Sequence, residues 1–537
     1  MTLRILPLMV GLSVVGLVAW AARTPASLLP AKSPEPLATN NYCDVVTTLD
    51  NEFVRQWKER KIAPSPTVDP LIVLRRLSLS LMGTIPSLEE IRKFEADQGP
   101  DRLARWTQRY LEDQRFADYF AVRLSRALVG AEVGQLFVFR RDRFNTWLSE
   151  QLQQNRPYDQ MVREMIAARG LWTGDPATNF ITAAVAEETI LVNDLAGRTA
   201  RVFLGQRIDC AECHDHPFAE WKQSQFAGLA ACFSETGLSP VGLQDGPRRG
   251  PPAAMGESTA RQGVAPQVPF EQQAWPDDGT LRERLAAWVT HPDNRRFERA
   301  TVNRIWGLMF GRPWTEPVDD LPNPPDSALP PDVLDLLGKD FREHGYDLKR
   351  LISILAAMQV FQLDSRHPAE ERGYSLDEAE AIWATFPLTR LRPEQIIGSM
   401  LQAWSIRTMD QNSNLLSRVI RLLREIDFVR EYGDYGEDEL GEHPGTIPQA
   451  LLRMNGEFVQ QISAAAPGTA SGRIAGMAPT EEACLETCFL VTLTRRPNVA
   501  EQAHFLPLLE AAGQERGSVV EDIFWSLFNS PEFCWNH

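Results

Sequence analysis

Apolar residues at helical spacing are the feature that most constrains the fold of this chain. One such run consists of Leu71, Leu74, Leu77 and Leu81, and Gly83 follows it. This period places the leucines on one face of an α-helix, and a glycine is a common helix end. Almost no segment alternates apolar and polar residues between hairpin turns, which is the pattern of a half-buried sheet. We therefore predict a mainly α fold.

Helix-start signals support the same prediction. Ser87 with Glu90, and Ser375 with Glu378, have the spacing of capping boxes. In such a box the serine side chain accepts from the third backbone N–H of the helix, and the acid reaches back to the serine N–H. Apolar periodicity predicts further helices over residues 101–111, 116–128, 144–168 and 183–204.

The N-terminus carries an uncharged, mostly apolar run between Arg4 and Arg23. This run predicts a signal peptide or membrane anchor over residues 1–23, followed by a Pro-rich tether over 24–41. We therefore expect export to the periplasm or cell surface, with membrane contact only through this segment. The 55 Lys and Arg against 71 Asp and Glu give a net charge of −16, which disfavours nucleic-acid binding.

The rest of the chain divides by composition. Residues 236–280 are rich in glycine and proline and poor in periodicity, which is typical of a connector. The sequence thus predicts two helical domains, over 42–235 and 281–537, joined by this Pro/Gly-rich connector.

The sharpest motif is Cys210-Ala211-Glu212-Cys213-His214. C-x-x-C-H is the attachment signature of a c-type haem. Two thiols three residues apart on a helical turn can reach the two vinyl groups of one porphyrin, and the next histidine can ligate the iron. We predict that Cys210, Cys213 and His214 bind haem c. Export agrees with this, because haem is attached to c-type cytochromes outside the cytoplasm.

Three alternatives remain open for the motif. Cys210 and Cys213 can form a disulfide in an oxidising compartment. They can instead join His214 or His216 and Cys232 around a tetrahedral zinc ion. The third alternative is a structural role with both cysteines buried.

Other residues near the motif are candidates for supporting roles. His216 is too close to His214 to ligate the same iron from the opposite face. It is a candidate for a second metal position, for capping the following turn with Pro217, or for a local hydrogen bond. Met255, in the connector, is a candidate sixth iron ligand. Candidates for an apolar porphyrin face are the aromatic residues that follow the motif: Phe218, Trp221, Phe226 and Phe233.

Three carboxylates follow a Gly-Arg-Pro turn, namely Glu316, Asp319 and Asp320. Carboxylates this close can bind a hard cation or act in acid–base catalysis. Ion pairing with Arg304 or Arg312 is the interpretation we favour.

Several segments in order resemble a known pair of domains. Residues 201–233 (RVFLGQRIDCAECHDHPFAEWKQSQFAGLAACF) and 74–94 (LRRLSLSLMGTIPSLEEIRKF) resemble the planctomycete cytochrome C-like domain of the second type. Residues 281–321 and the ending WSLFNSPEFCWNH resemble the planctomycete-specific C-terminal domain that follows it. The resemblance implies an exported protein that carries the C-x-x-C-H motif, and it supplies no reaction.

No nucleophile elbow, zinc-protease motif, P-loop or dinucleotide fingerprint occurs in the sequence, so we assign no catalytic residues. The function we expect is that of an exported haem-c-like protein in electron transfer or haem-dependent redox chemistry, with a redox protein as partner. The alternatives are a cell-surface scaffold or polysaccharide-binding protein and a metal-dependent hydrolase.

Overall fold

The computed structural model describes residues 42–131, 138–187, 189–217, 220–246, 264–324, 330–368, 373–410, 428–433, 436, 440–441 and 443–537. The predicted signal peptide or anchor, the tether and Met255 lie outside these residues, and the statements made about them remain predictions. None of the helices in the described part combines the length and the apolar character that a membrane span requires.

The fold is mainly α, as predicted, with 62% of the described residues in helices. In the first half of the described chain the helices are α1 (Cys43–Arg60), α2 (Pro70–Met82), α3 (Leu88–Ala96), α4 (Arg102–Glu112), α5 (Gln114–Val129), α6 (Arg141–Gln153), α7 (Tyr158–Ala167), α8 (Asn179–Thr182), α9 (Val192–Leu204) and α10 (Gln223–Ala231). Those of the second half are α11 (Leu281–Val289), α12 (Arg295–Phe310), α13 (Val333–Glu343), α14 (Leu348–Ala357), α15 (Leu376–Ala381), α16 (Pro393–Trp404), α17 (Ile447–Asn455), α18 (Glu457–Ser463), α19 (Ala470–Met477), α20 (Glu481–Leu493), α21 (Val499–Ala512) and α22 (Arg516–Asn529).

The strands are short and pair in antiparallel hairpins or bridges. They are β1 (Val185–Ala186) with β2 (Thr189–Ile190), β3 (Thr236–Ser239) with β4 (Gly242–Asp245), and β5 (Thr389–Arg390) with β6 (Trp535–Asn536). Short 3₁₀ turns, among them Asp209–Glu212, connect several of the helices.

Local sequence signals account for the helix ends. At the start of α2 the Asp69 side chain accepts from the Leu71 N–H, and Pro70 occupies the first turn, where its missing N–H costs nothing. Gly83 ends the helix in the left-handed region at φ 67°, which a glycine adopts without strain. Both predicted capping boxes, at Ser87 and Ser375, are present and confirmed.

Two predicted helices differ from those observed. The helix predicted over 144–168 is divided into α6 and α7, because Pro157 disfavours helical backbone in the residue before it. The helix predicted over 183–204 begins only at Val192. Its first part folds back as β1 and β2, where Val185 pairs with Ile190. Glu187 turns the chain between them with a positive φ of 47°.

Buried apolar side chains of the described residues form two clusters. The larger one draws mainly on α1 to α14 and includes residues on both sides of the predicted connector, such as Phe203 and Trp306. The smaller one draws mainly on residues 391–534 and also takes in Leu79 and Ile85. Helices before and after the connector thus share one core, and the predicted domain boundaries remain predictions.

The β3–β4 hairpin lies within the predicted connector and contacts the chain that follows α7. The Leu243 N–H donates to the Gly170 carbonyl at 2.8 Å, and the Gly170 N–H donates to the Leu243 carbonyl at 2.9 Å. Gly242 has a φ of +111°, and a Cβ there would lie 2.2 Å from the carbonyl carbon of Gly170. Only a glycine fits this close approach of two backbones.

We expect Gly242→Ala to lower the free energy of unfolding by about 3 kcal/mol, because the new methyl group meets backbone atoms that cannot move aside. Urea unfolding measures this change through the transition midpoint. Gly237→Ala in the same hairpin is the matched control, since a Cβ there has no neighbour within 4 Å. Equal urea midpoints for the two variants would contradict the close contact between the backbones of Gly242 and Gly170.

Candidate functional site

The C-x-x-C-H motif forms a surface loop between α9 and α10. Its first residues are part of the 3₁₀ turn Asp209–Glu212. Cys210 and Cys213 are both exposed free thiols, and His214 is exposed as well. The three predicted haem-binding side chains are therefore together on one accessible loop. The structure has the two cysteines neither bonded to each other nor buried.

Residues between the cysteines, and the residue just before them, anchor the loop to the protein. Ala211 is buried in the core. The Glu212 carboxylate accepts from the Asn193 side-chain amide of α9 at 2.9 Å. Arg201, also in α9, forms an ion pair with Asp209. These three anchors fix the turn and leave the cysteines exposed.

The end of the loop is fixed by the beginning of α10. The Gln223 side-chain amide donates to the Cys213 carbonyl at 2.7 Å, and the Gln223 N–H donates to the Asp215 carboxylate at 2.8 Å. The His216 N–H donates to the Trp221 carbonyl at 2.7 Å. The backbone on both sides of His214 is therefore held in place.

The imidazole of His214 is oriented by the main chain. Its Nδ1 lies 2.8 Å from the Asp215 carbonyl oxygen. A carbonyl can only accept, so this contact assigns the ring proton to Nδ1 and leaves Nε2 as the atom with a lone pair. Histidines that ligate metals generally donate their other ring N–H in this way. The donor set of two accessible thiols and one oriented imidazole therefore fits the attachment of a haem.

The aromatic residues that follow the motif are placed differently from the prediction. Phe226 and Phe233 are buried in the large core, so they do not line a surface at the loop. Phe226 lies on the face of α10 that packs against that core, and Phe233 enters the core two residues after the helix ends. Trp221 is half-buried, with its ring centroid 6.2 Å from that of Phe270. Phe218 lies outside the described residues.

Cys232, the fourth ligand of the zinc alternative, is fully buried in the core. Burial raises the pKa of this thiol to about 12, so it is protonated at neutral pH. Its Sγ contacts the Gly228 carbonyl oxygen at 3.5 Å, within its own helix region. Among the described residues, no three side chains of the His, Cys, Asp and Glu types are grouped to hold a metal ion.

A cavity of about 450 Å³ adjoins the loop, because Asp209, the residue before Cys210, is part of its wall. The charged residues of the wall come from α9, from the chain after it, from α12 and from the turn after α12. They are Arg198, Arg201, Arg207, Asp209, Arg304 and Asp319. No sequence motif groups these arginines. Arg198 and Arg201, three residues apart in a predicted helix, were the available signal.

Ion pairing was predicted for the carboxylates after α12. Their partner is Arg207, which the sequence did not suggest. The Nε of Arg207 donates to Asp319 at 2.8 Å, and the Arg207 N–H donates to Asp320 at 3.3 Å. Asp319 therefore joins the wall of the cavity and links the turn after α12 to the segment before the motif.

These features define a class: a mainly helical protein that presents two free thiols and an oriented imidazole on an anchored surface loop. Residues 48–237 match the family model PSCyt2, described as a protein of unknown function (DUF1549). Residues 281–414 match the model PSD1, described as a protein of unknown function (DUF1553). Two separate parts of the chain thus match family models of unknown function. No curated protein and no solved structure matches it.

Proposed function

We propose that Cys210, Cys213 and His214 attach a c-type haem, and that this protein is an exported electron carrier. One observation carries the proposal: two free, exposed thiols flank anchored residues and precede a histidine whose Nδ1 is bonded to a main-chain carbonyl. We also infer that the region matching PSCyt2 is the planctomycete cytochrome C-like domain of the second type, followed by the planctomycete-specific C-terminal domain.

The chemistry of attachment requires thiols that are reduced and accessible. Each cysteine adds its S–H across one vinyl group: the sulfur bonds to one carbon, the hydrogen goes to the other, and nothing leaves. The mass of the chain therefore increases by that of one haem. Cys210 and Cys213 meet both requirements, since they are free and exposed. When bound, the haem supplies one-electron transfer.

The loop would hold such a site in a fixed backbone conformation. Its anchors from α9 and α10 hold the backbone around Cys213 and His214. Because the anchors are made by intervening residues and main-chain atoms, modification of the thiols does not disturb them. Nε2 of His214 is the atom that would ligate the iron.

Zinc is the weaker alternative for this loop. The zinc set considered from the sequence needs Cys232 as a thiolate ligand. Cys232 is buried in the core with a pKa raised to about 12. Its burial separates it from the exposed thiols of the loop.

The proposal is tested directly by detecting haem that is covalently attached to the chain. We expect the full chain, exported by a host with haem-maturation machinery, to retain haem stain on a denaturing gel and to show the mass of chain plus one haem. The double variant Cys210→Ser, Cys213→Ser is expected to lose all covalent haem. Cys43→Ser, which removes an exposed thiol from α1, is the matched control and is expected to stain like the wild type. Exported wild type with an unmodified mass would refute the proposal.

A further inference from the structure

We propose that the arginine-lined cavity beside the motif loop binds a dianion, of the dicarboxylate or sulfate type. Among the described residues of its wall, the charged ones are four arginines and two aspartates. The chain as a whole has a net charge of −16. A concentration of positive charge in one concave site of an acidic protein attracts anions to that site.

The two aspartates hold two of the arginines in place. Arg207 donates to Asp319 through its Nε and contacts it through a second guanidinium nitrogen at 2.7 Å. Arg201 is paired with Asp209. A guanidinium presents five N–H donors, so each pairing uses only part of its capacity. The aspartates thereby orient these two guanidinium groups.

The size and the remaining walls of the cavity fit a small organic anion. Its volume of about 450 Å³ falls in the range of roughly 300–1,000 Å³ that is usual for ligand sites. The uncharged residues of the wall are small: Ala127, Gly130, Val202 and Val318. Guanidinium groups bind carboxylates and sulfates with paired hydrogen bonds, so these are the anions that the cavity selects.

Two sources can present this chemistry. One is a free small dianion, and the other is a pair of carboxylates on a porphyrin attached at the neighbouring loop. Binding to the chain without haem does not depend on the haem proposal, so the two proposals can fail separately.

The test uses the full chain produced without haem maturation, with succinate and sulfate as probes and acetate and 1,4-butanediol as monoanionic and neutral controls. Isothermal titration calorimetry and thermal unfolding are expected to detect the two dianions and neither control. Arg198→Gln and Arg304→Gln are expected to weaken binding by about tenfold or more. These two are chosen because Arg201 also anchors the motif loop.

Arg60→Gln is the matched control, since it removes the same charge from an exposed position of α1. It is expected to leave binding unchanged. Ala127→Phe fills the cavity without altering a charge, and we expect it to abolish dianion binding. This variant tests the proposal independently if an arginine variant fails to fold. Repeating the titration on haem-loaded protein distinguishes the sources: lost binding indicates porphyrin carboxylates, and retained binding a free ligand. No dianion binding to the unloaded wild type, or equal losses in Arg60→Gln and Arg304→Gln, would overturn the proposal.

Discussion

Replacing Arg76 by alanine is expected to lower the free energy of unfolding by about 4 kcal/mol. Arg76 is fully buried in α2. Its guanidinium donates to the carbonyl oxygens of Phe361 at 2.8 Å and Leu363 at 2.7 Å, and to the main-chain oxygen of His537 at 2.6 Å. Its centre lies 3.6 Å from the ring centroid of Phe386. Alanine would leave two buried acceptors and one part-buried acceptor without these donors.

The charge of Arg76 is retained despite its burial. Desolvation lowers its pKa to about 9, which is still above neutral pH. The measurement is urea unfolding at pH 7, followed by far-UV circular dichroism. Arg60→Ala serves as the control, because this exposed arginine is expected to change stability by no more than about 0.5 kcal/mol. An Arg76→Ala midpoint equal to that of the control would show that these bonds do not stabilise the fold.

The second large effect is expected for Trp306→Ala, at about 4 kcal/mol. Trp306, in α12, lies at the centre of an aromatic group in the main core. Its ring centroid is 4.4 Å from that of Phe310, 4.9 Å from that of Trp383 and 5.1 Å from that of Trp314. Removing the indole opens a cavity between three rings that cannot all collapse into it.

Trp525→Ala is the matched control, because Trp525 is 37% exposed and its removal opens no closed cavity. We expect a loss below about 1 kcal/mol for it. Thermal unfolding resolves this difference between the variants. Comparable stabilities of the two tryptophan variants would contradict the central role of Trp306.

Much of the local structure was predictable because it depends on neighbours in sequence. The end of α2 at Gly83 and the capping boxes at Ser87 and Ser375 were all predicted and are all present. Caps satisfy backbone N–H groups with side chains three residues away, so a short window contains the whole cause. The segment before Val192 was predicted as helix and is a short antiparallel pair, which apolar periodicity alone did not distinguish.

The motif loop was predictable for the same reason, since Cys210, Cys213 and His214 are adjacent in sequence. Their exposure and the bond from His214 to the Asp215 carbonyl were not, because these depend on how α9 and α10 hold the loop. The inward packing of Phe226 and Phe233 is likewise a property of the core.

The mainly α fold, the helix caps and the C-x-x-C-H motif follow from short-range spacing, so they could be predicted from the order of the residues. The contact of Arg207 with Asp319, 112 residues later in the chain, depends instead on how distant helices pack. The same packing of α12 against α9 places Arg304 with them in one cavity. Such pairs arise from the burial of apolar faces far apart in sequence, and no local pattern of residues encodes which faces meet.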